Sequence, residues 1–171
     1  MVILRPTRKL FRELPPSRES GLQSDTALGD WYVKRLVVDR RPLLLLVSSN
    51  ALLAVLIPAR NVRALPDQLS AIIGSRLRRL GVREELINAE LSAMTPVAIA
   101  PTLDRSVMGT VVDFAKDIPY RLEIGGWDET TLPFVEAHLA ETPCHAARRF
   151  EEVIFPVKDA PELLAARWHA A

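Results

Sequence analysis

The stretch WYVKRLVVDRRPLLLLVSSNALLAVLI, residues 31–57, decides the fold. It contains three apolar runs, at 31–39, 43–47 and 52–57, separated by short polar turns. This pattern predicts three adjacent strands in an antiparallel β-meander. The middle run is apolar without alternation, so we expect a central strand that is covered on both faces.

The same region could be mistaken for a membrane span, because residues 43–59 are mostly apolar and are flanked by arginines. The run is shorter than the roughly 20 residues that a spanning helix needs. Its centre also holds Ser48, Ser49 and Asn50, which a hairpin turn explains and a membrane helix does not. Residues 1–14 lack the continuous apolar core of a signal peptide. We therefore expect no membrane association and a cytoplasmic location.

The rest of the chain predicts an α+β fold, in which helices cover the small antiparallel meander. Strands near residues 2–5 and 95–100 are expected to join it. Helical spacing of apolar residues and capping signals predict six helices, at 8–14, 66–80, 82–91, 104–116, 132–140 and 162–168. We expect a single domain over residues 1–171, with 144–171 as a loosely attached C-terminal tail.

Composition excludes two classes of protein. Apolar residues make up 49% of the 171 residues, which excludes a mainly disordered chain. One Cys excludes a disulfide framework and a Cys-rich zinc module. The net charge of +1 hides an asymmetry, since residues 1–63 carry +6 and residues 111–171 carry −5. The asymmetry indicates an internal electrostatic clamp, a basic face for an anionic partner, or simply solvated ends.

The predicted helix from Asp104 carries the first candidate binding site. Ser106, Gly109, Thr110 and Asp113 fall in one line opposite its apolar stripe. A glycine inside a helix costs roughly 1 kcal/mol relative to alanine and often marks a close approach by a backbone or a ligand. The structural alternative is a face of small residues that packs on the sheet.

Arg105 completes this candidate site. A cation near a helix N-terminus is locally unfavourable, so something should offset it. We expect either a carboxylate partner, such as Asp30 or Asp113, or an anionic ligand.

The second candidate binding site lies around the first predicted strand. Asp30, Trp31 and Tyr32 precede the turn that holds Arg40 and Arg41. Paired arginines could grip a phosphate, and the aromatic side chains could stack on a base. The structural alternative is a tryptophan that anchors a loop to the core, with the arginines in water.

No catalytic residue, metal ligand or cofactor is assigned from the sequence. His138, Cys144 and His145 match no standard metal-ligand spacing. Cys144 and His145 resemble a nucleophile–base pair, but adjacent residues seldom place both side chains on one site. The chain also lacks a glycine-rich phosphate loop and a nucleophile elbow.

Four segments together resemble a bacterial family of unknown function that occurs in plasmid-borne and mobile-element-linked reading frames. The segments are VILRPTRKLFREL (2–14), LGDWYVKRLVVDRRPLLLLVSSNALLAVLIPA (28–59), DRSVMGTVVDF (104–114) and LAETPC (139–144). The resemblance implies a shared fold and a characteristic pattern of Asp30-Trp31 and Arg105-Ser106 with Asp113, but no activity. Family members usually have Asn before the Arg-Ser pair, where this chain has Asp104.

Two functional hypotheses follow, and whether the chain is an enzyme stays open. The first is a non-enzymatic binding or accessory module in a mobile-element, toxin–antitoxin or defence setting, with nucleic acid or a protein as partner. The second is a small enzyme that acts on a phosphorylated or nucleotide-like ligand. It would use Asp30 or Asp113 as acid/base group and Arg105 to hold the anion.

Overall fold

The computed structural model describes residues 1–145 and 153–169. Its main sheet has five strands in the order β4-β3-β2-β1-β5. The strands are β1 Val2–Pro6, β2 Trp31–Val38, β3 Arg41–Ser48, β4 Ala54–Pro58 and β5 Val97–Ile99. Strands β2, β3 and β4 form the predicted antiparallel meander, and β1 runs parallel to both β2 and β5. The sheet is therefore mixed.

Five α-helices lie in the described part of the chain, and the predicted α+β class is confirmed. They are α1 Leu65–Arg79, α2 Glu84–Ala93, α3 Arg105–Arg121, α4 Leu132–Ala140 and α5 Pro156–Trp168. A separate two-stranded ribbon pairs β6, Cys144–His145, with β7, Val153–Ile154. Three short 3₁₀ turns are η1 Arg8–Leu10, η2 Val62–Ala64 and η3 Glu129–Thr131.

Strand β3 explains why the sheet is covered on both faces. Leu44 and Leu46 pack into the core formed with α1, α2 and α5. Leu43 and Leu45 pack into the opposite core, formed with α3 and α4. Because successive side chains of a strand point to opposite faces, a continuous apolar run is what two covered faces require. The expectation of a central strand over 43–47 is confirmed.

The turn between β2 and β3 lies one residue earlier than the sequence predicts. Asp39 and Arg40 form it, with φ angles of +52° and +62°. Two consecutive positive φ angles are typical of the hairpin turns whose twist matches that of the strands. Strand β3 then begins at Arg41, which the sequence assigned to the turn.

Three predicted helices differ in length from those found. The predicted helix at 8–14 is only the 3₁₀ turn η1. Helix α3 passes the predicted end at 116, because Ile118 and Leu122 beyond it are still buried. Helix α5 begins at Pro156 rather than at 162, since proline suits the first helical position. The backbone amide of Phe155 also donates to Asp159 Oδ2 at 2.7 Å.

Helix α5 falls in the segment that the sequence assigns to a loose tail. Its side chains Ala160 and Leu164 are fully buried in the core shared with α1 and α2. Residues 146–152, 170 and 171 of that segment lie outside the described residues. Within the described residues, no helix combines the length and the apolar character that crossing a membrane requires.

A buried ion pair closes the β4 edge of the sheet. Arg76 Nε lies 2.9 Å from Glu136 Oε2 and donates to the carbonyl of Ala54 at 3.0 Å. The Leu56 amide donates to Glu136, and Arg79 Nη2 reaches both Glu136 oxygens at 3.1 and 3.0 Å. Burial raises the pKa of Glu136 and lowers the pKa of Arg76. The two side chains thus form hydrogen bonds with the Ala54 carbonyl and the Leu56 amide, which an open sheet edge would leave unpaired.

Candidate functional site

A polar cavity of about 510 Å³ opens beside the parallel strands β1 and β2. Arg5 of β1 and Tyr32 of β2 are register partners and line it together. Three connecting segments complete the wall: residues 21–24 with 29–30, residues 49–50, and residues 103–104. The cavity therefore lies where three loops meet, and loops positioned by a sheet commonly carry binding residues.

Arg5 is the central side chain of this cavity. Only 9% of the side chain is exposed, and Nε pairs with Asp30 Oδ2. Nη1 donates to the carbonyl of Pro101 at 2.7 Å. Among the residues that the structure describes, no hydrogen bond of Nη2 is found. A buried guanidinium thus keeps donor groups available beside a cavity.

Asp30 is held on both carboxylate oxygens. Oδ2 accepts from Arg5, and Oδ1 accepts from Ser24 Oγ at 2.6 Å. The backbone amide of Asp30 donates to Ser49 Oγ at 2.9 Å. Ser24 Oγ in turn accepts from the Ile3 amide at 3.1 Å. These contacts fix the carboxylate as a hydrogen-bond acceptor within a network that spans three segments.

Gly29 lets the chain approach the neighbouring turn. Its φ is +78°, and an added Cβ would overlap Ser49 Oγ and lie 2.9 Å from Asn50 Cγ. Asn50 Nδ2 donates to the carbonyl of Ala27 at 3.0 Å, which ties the same two segments together. A glycine is therefore needed immediately before Asp30.

Glu90 holds the other side of the loop, and the sequence analysis did not single it out. The carboxylate is fully buried and accepts from the amides of Ala27 and Leu28 at 2.9 and 3.0 Å. It also accepts from Trp168 Nε1 at 2.8 Å. A signal was present, because a glutamate three residues after Ile87 lies on the apolar side of α2. A buried carboxylate on such a face needs donors from elsewhere.

Tyr32 links the cavity to the start of α3. Its hydroxyl accepts from the Asp104 amide at 2.9 Å, and burial raises the pKa of Tyr32. The hydroxyl therefore keeps its proton at neutral pH. Asp104 caps the helix, since its Oδ1 accepts from the Ser106 amide at 2.9 Å. The predicted cap is confirmed.

The predicted stacking and phosphate-gripping site does not form as expected. Trp31 is fully buried in the core on the α1 face, so its ring is not available to stack on a base. Arg41 donates to the carbonyl of Trp127 at 2.8 Å and lies 4.6 Å over that ring. Arg40 is exposed in the tight turn. The two arginines therefore have different surroundings, and of this set Asp30 and Tyr32 line the polar cavity with Arg5.

The predicted row on α3 lines a second cavity, of about 440 Å³. Ser106, Gly109, Thr110 and Asp113 face residues 142–145 across it. Gly109 is exposed, and an added Cβ would meet nothing within 4 Å. The alternative of a small-residue face packed on the sheet is therefore wrong at this position.

Cys144 also lines this second cavity. Burial, with a smaller contribution from the charge of Asp113, raises the pKa of Cys144 to about 11. At neutral pH the side chain is therefore a thiol rather than the thiolate that a nucleophile needs.

Arg105 is placed apart from both carboxylates that the sequence offered as partners. It is exposed, lines neither cavity, and has no ion pair among the described residues. Asp30 pairs with Arg5 instead, and Asp113 lines the second cavity. The expected meeting of these three side chains is therefore not found. No group of three or more His, Cys, Asp or Glu side chains within residues 1–145 and 153–169 could hold a metal ion.

The sequence matches one protein-family model over most of its length. The model of a domain of unknown function, DUF6933, matches residues 3–159. The chain belongs to the DUF6933 family. Neither the curated proteins nor the solved structures contain a match to it. The description of the family names no activity.

Proposed function

We propose that the chain is a non-enzymatic binding module that receives a small polar ligand in the cavity around Arg5, Asp30 and Tyr32. The observation that carries the proposal is the buried Arg5 guanidinium, which lines the cavity with Nη2 unbonded to any described residue. Within the described residues, the buried side-chain nitrogens and oxygens without a partner are Trp31 Nε1 and Trp127 Nε1, so Arg5 Nη2 is open to solvent and can donate to water or to a ligand. A ligand oxygen is the group that fits this position.

The charges around the cavity narrow the ligand class. Arg5 and Asp30 both line the cavity, and their opposite charges balance each other. This balance disfavours a phosphorylated or otherwise strongly anionic ligand. We therefore propose a ligand that is neutral overall. It carries a carbonyl or carboxylate oxygen for Arg5, as amino acids and nucleosides do.

The site supports recognition better than acid–base catalysis. Both oxygens of Asp30 already accept hydrogen bonds, from Arg5 and from Ser24. Tyr32 keeps its proton because burial raises its pKa. General acid–base work needs a group that both gains and loses a proton near neutral pH. Tyr32 does not meet that requirement, and the oxygens of Asp30 accept from protein donors, so both side chains are assigned to binding.

The test is a ligand screen with a variant that removes only the available donors. The screen measures thermal shifts with free amino acids, nucleosides and the matching phosphates, followed by calorimetry on hits. Arg5→Lys keeps a cation for Asp30 but removes the Nη2 donors, so it should abolish the shift. Arg63→Lys, an exposed arginine in η2, is the matched control and should leave the shift unchanged. A ligand that stabilises Arg5→Lys as well as the wild type contradicts the proposal.

The setting of the module and a nucleic-acid partner remain predictions. An accessory role in a mobile-element, toxin–antitoxin or defence setting rests on the sequence resemblance alone. Binding of nucleic acid rests on the charge of +6 carried by residues 1–63. Co-purification from the native host, with identification of bound protein, nucleic acid and metabolites, tests both. A nucleic-acid complex should also weaken steadily as salt rises.

A further inference from the structure

Strand β2 extends beyond its neighbour β1. Strand β1 pairs with β2 only from Leu4 to Pro6, opposite Trp31 to Val33. Strand β2 continues to Val38, and its last five residues pair with β3 alone. One side of this half-strand is therefore a sheet edge, independent of the polar cavity.

The backbone groups of Arg35 and Val37 point to this edge. The Thr7 amide donates to the carbonyl of Val33 at 3.0 Å, so Val33 directs its carbonyl away from β3. Backbone direction alternates along a strand, and Arg35 and Val37 therefore point the same way. The register agrees, because Val37 lies opposite Pro42, which has no amide to donate. No hydrogen bond of these four backbone groups is found within residues 1–145 and 153–169.

The surroundings of the edge are basic and partly apolar. The side chain of Val37 is 60% exposed. Turn η1 contacts β2 beside the edge, and the hairpin turn lies at the end of the strand. Five cations on these elements form no ion pair in the described part of the chain: Arg8, Lys9, Lys34, Arg35 and Arg40. Much of the positive charge of residues 1–63 is thus gathered, unpaired, around one short strand edge.

We propose that this edge binds an extended acidic segment of a partner protein, which adds to the sheet as a short strand beside Arg35 and Val37. Strand addition supplies both the donors and the acceptors that the edge offers. The surrounding cations select an acidic sequence. Val37 provides an apolar contact for an alternate side chain of the bound segment.

Two other occupants fit the same edge less well. A second copy of this chain would bring Lys34 and Arg35 against the same residues, and like charges in paired strands are destabilising. The phosphates of a nucleic acid only accept hydrogen bonds, so they would leave the carbonyls of Arg35 and Val37 unsatisfied. An acidic strand is the occupant that meets charge and hydrogen bonding together.

The experiment titrates isotope-labelled full chain with three probes. These are a peptide of alternating glutamate and valine, its lysine–valine counterpart, and single-stranded oligo(dT). The acidic peptide should shift the amide signals of Arg35 and Val37, and the lysine peptide should not. Equal binding of both peptides, or shifts confined to other residues, would overturn the proposal.

Variants separate strand addition from simple charge attraction. Val37→Pro removes an amide that points away from β3, so the ladder with β3 is kept while strand addition is blocked. It should weaken peptide binding by at least about tenfold. The double variant Lys34→Glu/Arg35→Glu should do the same if Val37→Pro fails to fold. Arg63→Glu, a single charge reversal at an exposed arginine of η2, is the control and should leave binding unchanged.

Oligo(dT) provides the decisive alternative. If oligo(dT) binds, the acidic peptide does not, and Val37→Pro leaves the oligo(dT) affinity unchanged, the basic edge is a nucleic-acid surface and the proposal is wrong. The edge and the cavity are tested by different variants. If the ligand screen contradicts the proposed cavity site, the outcome of the peptide titration at the edge still stands.

Discussion

Two buried arginine–carboxylate pairs in this fold have opposite surroundings. Arg76 and Glu136 are satisfied by each other, by Arg79 and by backbone groups of β4. Arg5 and Asp30 are also paired, but the guanidinium lines a cavity and keeps Nη2 unbonded to any described residue. The first pair is a closed structural contact. The second leaves recognition capacity beside a space large enough for a ligand.

The difference shows that burial and pairing alone do not identify a functional site. The Arg76–Glu136 pair is the more deeply buried, with side chains 4% and 2% exposed against 9% and 18% for Arg5 and Asp30. It is also the pair in which burial shifts the pKa of both members. Perturbed groups mark structural pairs as well as functional ones. The two pairs differ in position, because Arg5 and Asp30 line the polar cavity, whereas Arg76 and Glu136 line neither of the two cavities described above.

The largest expected effect is at the closed pair. Glu136→Ala leaves Arg76 as a buried charge without its carboxylate and frees the Leu56 amide, so unfolding in urea should show a loss of about 3–5 kcal/mol. Arg76→Met combined with Glu136→Leu should recover much of the loss, because no buried charge remains. Glu129→Ala, in an exposed pair with Arg60, should cost less than about 1 kcal/mol. A loss at Glu136 no larger than at Glu129 would contradict the comparison.

Glu90→Gln should have the next largest effect. In the wild type, three donors share the Glu90 carboxylate. In the variant, the N–H₂ group of glutamine faces one of them, so we expect the free energy of unfolding to fall by about 2 kcal/mol. The measurement is urea denaturation, with Glu85→Gln on the exposed side of α2 as the matched control. Because Glu90 fixes residues 27–28 next to Asp30, ligand binding in the cavity should weaken as well. Unchanged stability would show that water replaces the lost acceptor.

Asp30→Asn should lower the free energy of unfolding by about 1–2 kcal/mol, which is less than for Glu136→Ala or Glu90→Gln. The oxygen of the asparagine side chain can still accept from Ser24. Its N–H₂ group then faces the Nε–H of Arg5, so that two donors meet without an acceptor. Solvent in the cavity can then accept from the guanidinium. Asp25→Asn, whose side chain is 69% exposed in its pair with the N-terminus, is the control and should change stability by less than about 0.5 kcal/mol. A loss as large as that of Glu136→Ala would remove the distinction between the two pairs.

The sequence predicted the elements whose signals are local. Apolar runs and turns gave the meander over 31–57, and the cap at Asp104 marked the start of α3. The turn was misplaced by one residue because Asp39-Arg40 adopts positive φ without a glycine to reveal it. Packing sets the C-terminal end of α3, where Ile118 and Leu122 are buried, and a local stretch of sequence does not show that packing.

The site was less predictable because its contacts are distant in sequence. Asp30 was identified, but its partner was sought at Arg105 and is Arg5, which the parallel register of β1 and β2 brings beside it. Of the two alternatives for Trp31, the one in which it anchors a loop to the core is found, because strand alternation turns its side chain inward. Parallel pairing of β1 with β2 requires a long connection, and no local signal in the 24 residues between Arg5 and Asp30 predicts it.

The smallest expected change in stability is at two helical glycines, Gly74 and Gly109. Gly74 has close neighbours, and Gly109 has an open side. An added Cβ at Gly74 of α1 would lie 3.0 Å from Leu91 Cδ1, whereas one at Gly109 of α3 would meet nothing within 4 Å. Gly109→Ala should therefore stabilise the chain by about 0.5–1 kcal/mol through helix propensity alone, and Gly74→Ala should gain less because Leu91 has to move. Urea denaturation of both variants measures the difference. Equal gains would show that the α1–α2 contact is not tight. A loss at Gly109 would show that its open side is occupied in solution, and the second cavity would then become a binding site in its own right.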